Sequence, residues 1–84
     1  MNNWDFIRDL LAEFYVEEKD RIREDTKLDD DLDADYWDLA EILIAIENEF
    51  QVEFDDTTAD RIHTAGDLLK ELNLALTGED RSDE

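Results

Sequence analysis

Apolar side chains recur at helical spacing in three stretches, and the segments between them are polar. From Trp4 the pattern runs through Ile7, Leu10, Leu11 and Phe14. This predicts a first helix over 3–15, with Asn3 as N-cap and Asp5 in the first turn, where the helix dipole favours an acid. The second stretch is the strongest. Leu39, Ile42, Leu43, Ile46 and Phe50 follow the 3.6-residue period and predict a helix over 35–50, with Asp35 as N-cap and Asp38 in its first turn. In the third, Ala65, Leu68, Leu69, Leu72 and Leu76 form the apolar stripe. Thr64 and Asp67 before it have the form of a capping box, with Asp in place of the usual Glu.

The connections are unequal. Residues 17–34 are charged, with isolated apolar anchors at Ile22, Leu28 and Leu32, which predicts a long first connection pinned to the core. Asp55 to Thr58 is expected to cap a short helix over Thr58 to Arg61, with Ala59 and Ile62 inward. Val52 and Phe54 alternate with charge but have no partner strand, so a loop that packs two side chains is expected. With no proline and only two glycines, the fold class is all-α. The expected architecture is a small four-helix bundle with a long first loop and a short third helix.

The strongest helix has two faces. At 100° per residue its core set lies within about 60° of one direction. Trp37, Glu41, Ile44 and Asn48 fall on the opposite side. Single exposed hydrophobes are ordinary, and a Trp in a first turn can fold back onto the preceding loop. Trp37 and Ile44 share one stripe two turns apart, a pattern that favours a docking surface.

Composition sharpens that reading. The 84 residues suit one small domain, expected over 1–76 with a flexible acidic tail over 77–84. The formal net charge is -19, yet 42% of residues are hydrophobic, too many for a disordered acidic chain. Such a surface repels phosphate backbones and anionic lipid, so neither nucleic acid nor a membrane is expected as partner. No apolar run reaches the ~18 residues of a membrane span. The start MNNWDFIRDL lacks the basic and apolar segments of a signal peptide, and there is no Cys, so a cytoplasmic monomer is expected. Residues 28–60 hold 13 acids and no Lys or Arg, which concentrates the negative charge around the second helix. The acids there would steer a basic partner.

Catalytic and metal chemistries find little support. Asp29, Asp31, Asp33 and Asp35 resemble the start of a calcium loop. Counted from Asp31, however, the sixth and twelfth positions are Tyr36 and Ile42, where Gly and Glu are needed. His63 is the only His and has no partner set for zinc. With no Cys and Ser82 as the only Ser, a nucleophilic triad is not expected, and neither is an enzyme.

Residues 28–72 resemble an acyl carrier protein. The family signature runs Leu-x-x-Asp-Leu-Gly-x-Asp-Ser-Leu-Asp, followed by an apolar helix that ends Glu-x-Glu-Phe. Here the chain reads Leu28-Asp29-Asp30-Asp31-Leu32, then Asp33-Ala34-Asp35-Tyr36-Trp37-Asp38, and closes the helix with Glu47-Asn48-Glu49-Phe50. Ala59 to Thr64 resembles the family's run into its last helix. The resemblance implies an acidic four-helix bundle whose second helix docks partner enzymes. The family's Ser, which bears 4'-phosphopantetheine, is replaced by Tyr36, and the Gly three residues earlier by Asp33. The cofactor is therefore expected to be absent.

The resemblance then implies a non-catalytic binding module that docks the basic surface of a partner protein, such as an acyl-processing enzyme. Asp35, Trp37, Asp38, Glu41, Ile44 and Glu47 occupy the docking positions. Two alternatives stand beside this reading. One is a genuine acyl carrier of fatty-acid or secondary-metabolite synthesis, modified in a non-standard way. The other is an acidic mimic or inhibitor of a basic protein surface.

Overall fold

A computed structural model describes residues 2–15, 18–55 and 57–77. Their architecture is all-α. Helices α1 (Asn3–Tyr15), α2 (Tyr36–Phe50) and α3 (Ala65–Thr77) are joined by segments that contain two 3-10 turns, Lys19–Arg21 and Thr58–Arg61. Among the described residues there is no strand, only an isolated antiparallel bridge between Lys27 and Thr64.

The described residues thus contain three α-helices and not four. The segment expected as a short third helix is the 3-10 turn Thr58–Arg61. It ends at Ile62, whose backbone is extended and whose N–H bonds Ala59 O. Its backbone bonds reach back three residues, Asp60 N–H to Thr57 O and Ile62 N–H to Ala59 O, and Asp55 organises the turn by accepting bonds from the Thr57 and Thr58 hydroxyls. The Val52–Phe54 segment packs both side chains partly against the core without forming a strand.

Ile7 and Leu11 of α1, Ile42 and Ile46 of α2, and Leu68 and Leu72 of α3 are almost completely buried. Each such side chain contributes about 1.5–3 kcal/mol by leaving water. Phe6 and Phe50 meet edge to face at 5.0 Å and join α1 to the end of α2. The anchors of the long connection behave as their isolation in a charged segment suggests. Ile22 and Leu28 are buried, and Leu32 is partly so.

Two details depart from the sequence reading. Asn2 and not Asn3 caps α1, its Oδ1 accepting from the Asp5 N–H at 2.8 Å. Asn3 lies within the helix, and its Nδ2 donates to Asn73 Oδ1 of α3 at 2.9 Å. Leu76, placed on the apolar stripe of α3, is exposed. It lies in the last turn of α3, beyond the Asn3–Asn73 bond that ties the helix to α1. The tail expected from residue 77 begins as the last residue of α3, and 78–84 lie outside the described residues.

The start of α3 is tightly held. Thr64 Oγ1 accepts from the Asp67 N–H, and Asp67 Oδ2 accepts from the N–H groups of Thr64 and His63. Burial works to raise the Asp67 carboxyl, but these hydrogen bonds outweigh it and hold the pKa below its ordinary value. The long connection runs against this corner. The Ala65 N–H bonds Thr26 O, and the Gly66 N–H bonds Glu24 O at 2.8 Å. A Cβ on Gly66 would meet that Glu24 oxygen at 2.8 Å, so the approach requires glycine.

Candidate functional site

The N-terminus of α2 is built from acids acting on backbone N–H groups. Asp31 Oδ2 accepts from the Lys27 N–H, which tightens the turn before the helix. Asp33 then takes the left-handed backbone at φ 61°, and Ala34 N–H bonds Leu28 O. At the helix start Asp35 Oδ1 accepts from Asp38 N–H at 2.9 Å, while Asp38 Oδ2 accepts from Asp35 N–H at 3.3 Å. This reciprocal cap is a capping box made of two Asp residues.

On this base the helix displays apolar side chains to water. Trp37 is 74% exposed, Tyr36 64% and Ile44 54%. Trp37 therefore does not fold back onto the loop. Its ring meets the Tyr36 ring near a right angle, 77° between planes with centroids 5.8 Å apart. Glu41, one turn after Trp37, is exposed, and among the described residues its side chain forms no hydrogen bond or ion pair. The opposite face of α2 buries Ile42 and Ile46, so the outward set is a consequence of the helical period.

The docking residues read from the sequence do not form one class. Trp37, Glu41 and Ile44 are exposed, while Asp35 and Asp38 each commit one oxygen to the cap. Glu47 is partly buried, and its Oε2 accepts from Phe54 N–H at 2.8 Å. Its carboxylate thus ties the 52–55 segment to α2 before any partner arrives. Tyr36 presents its phenol to solvent from the first residue of the helix.

Beside this face lies a groove of about 330 Å3 between α2 and the segment leading into the second 3-10 turn. Ala40, Leu43, Ile44, Phe54 and Ala59 give it apolar walls, with Glu47 and Asp55 at its polar edge. Bonds from Thr57 and Thr58, with the Arg61 charge adding to them, hold the Asp55 carboxyl below its usual pKa.

Two features of this region escaped the sequence reading. The first is a forked pair, Arg61 Nε and Nη2 to the two carboxylate oxygens of Glu71, both at 3.1 Å. Glu71 is buried, and the pair fastens the second 3-10 turn to α3. A signal existed, since Arg61 is the only Lys or Arg between Lys27 and Lys70. The second is Tyr15 at the end of α1. Its hydroxyl oxygen is enclosed beside Asp38. Burial, followed by the charges of Asp38 and Asp35 and a hydrogen bond to Asp38, pushes its pKa up to about 12. No sequence signal pairs Tyr15 with acids some twenty residues away.

Among the described residues no group of three or more His, Cys, Asp or Glu is placed to hold a metal ion. Among them, too, no helix is long and apolar enough to cross a membrane. No protein-family model matches the chain.

Proposed function

We propose that this protein is an acyl-carrier-like, non-catalytic module that docks the basic surface of a partner protein through the outward face of α2, without a pantetheine arm. The observation that carries the reading is the concentration of exposed large apolar residues on one helix of a strongly acidic chain. Tyr36, Trp37 and Ile44 are all exposed and lie within nine residues. Acids at both ends of that stretch supply attraction to a basic surface, and the apolar side chains supply affinity that survives salt.

The resemblance to acyl carriers has support in the backbone. Asp33 stands where the family has Gly, and it adopts the left-handed conformation that Gly favours. On this reading the 3-10 turn Thr58–Arg61, beside the three α-helices, stands for the family's short third helix. Loss of the arm rests on Tyr36. A rigid phenol replaces the primary alcohol that a phosphopantetheinyl transferase modifies.

Two measurements test the proposal. Incubation with coenzyme A and a promiscuous phosphopantetheinyl transferase is expected to leave the intact mass unchanged, and a gain of one pantetheine arm overturns the arm-free reading. Capture of the partner from an extract of the native host is expected to weaken with added salt but persist in part. Capture that vanishes with salt and ignores Ile44→Asp favours the acidic mimic.

A further inference from the structure

The outward face of α2 carries more specific chemistry than negative charge. Tyr36 and Trp37 are in ring contact near a right angle and are mostly in solvent. Together they form an open aromatic corner. The face of an indole or phenol ring attracts a cation, and a planar guanidinium stacks there better than a compact ammonium does. Glu41 lies one turn along from Trp37 on the same stripe, and no hydrogen bond or ion pair within the described residues engages its side chain. Asp33, before the corner, is exposed, and its side chain likewise forms no such bond. An arginine stacked on Trp37 therefore has a free carboxylate within its reach, and carboxylate pairing with a guanidinium fork is bidentate. Ile44 and the groove walls Ala40, Leu43 and Phe54 adjoin the corner and offer an apolar seat beside it.

We infer that the face selects an arginine-bearing segment of its partner. One guanidinium stacks in the Tyr36/Trp37 corner and pairs with Glu41, while a neighbouring aliphatic side chain enters the groove beside Ile44. The inference rests on the docking reading above and names what the partner must present. Charge alone accepts lysine and arginine equally. The aromatic corner adds the preference.

The test uses short blocked peptides of alternating Leu and Arg, and the same peptides with Lys or with the neutral isostere citrulline. Trp37 and Trp4 are the only two Trp residues, so a Trp4→Phe protein reports from Trp37 alone. Fluorescence titration is expected to show the Arg peptide binding roughly three- to tenfold more tightly than the Lys peptide, with citrulline weakest. Trp37→Ala, followed by calorimetry, is expected to cut the Arg preference sharply and leave salt-sensitive binding of both cationic peptides. Glu41→Gln is expected to weaken the Arg peptide more than the Lys peptide. Equal affinities in the Trp4→Phe protein, a preference undiminished by Trp37→Ala, or no binding of either peptide overturns the inference. The docking reading has a separate readout, the effect of Ile44→Asp on partner capture, so the two can fail independently.

Discussion

Helices α2 and α3 begin with the same device and put it to opposite uses. Each start is a reciprocal cap in which one side chain takes the N–H three residues on and the returning Asp takes the N–H at the cap. At α3 the cap is walled in by the Lys27–Thr64 bridge and by Glu24 O against Gly66. At α2 the residues after the cap are Tyr36 and Trp37, and both stand in solvent. A cap settles the local backbone cost of starting a helix, so the first turn is free either to close the core or to meet a partner. The difference lies in what packs behind each start.

The contrast breaks most visibly at its tightest point. Gly66→Ala adds one methyl group against a backbone carbonyl and is expected to cost about 1–3 kcal/mol. Trp37→Ala removes far more atoms and is expected to change stability by no more than about 0.5 kcal/mol, because the ring is in water. Urea unfolding of the two variants compares them directly. A larger loss from Trp37→Ala would mean that the corner is structural.

The caps themselves come next. Asp67→Ala frees two backbone N–H groups at a packed corner and is expected to cost about 1–2 kcal/mol, whereas Asp38→Ala frees one that water can reach and costs about half as much. The same unfolding curves give both values. Asp33→Gly relieves a left-handed Asp and is expected to stabilise by about 0.5–1 kcal/mol, read as a higher melting temperature.

The last comparison is a titration. The Tyr15 pKa is higher in the folded protein than its ordinary 10.0, so folding favours the neutral phenol. That contribution is complete below 10.0 and is lost as the pH rises toward about 12. Asp67 has the opposite sign. Its folded pKa lies below 3.8, so its contribution is complete above that value and is lost as the pH falls beneath it. In a Tyr36→Phe protein Tyr15 is the only tyrosine, and its ultraviolet phenolate band is expected to rise with a midpoint near 12. An ordinary midpoint would show that Tyr15 is not enclosed against the start of α2.

Much of this layout was legible because period and capping are local. Leu39 to Phe50 spelled out both faces of α2, and the Thr64–Asp67 spacing announced the start of α3. Features that depend on chain segments meeting were not legible. The Arg61–Glu71 fork, the Glu47 bond to Phe54 N–H and the enclosure of Tyr15 all join residues from different elements. The charge count was likewise only half informative. It showed where the acids lie, but Asp31, Asp35, Asp38 and Glu47 serve backbone N–H groups, while Glu41 is exposed and engages none among the described residues.

The most direct test pairs stability with capture in one protein, the double variant Trp37→Ala/Ile44→Asp. Both side chains are exposed, so the melting temperature is expected to stay within about 4 °C of the parent. Capture of the partner is expected to be lost. Retained capture, or loss of capture accompanied by unfolding, would contradict a docking face that the fold holds outside its core.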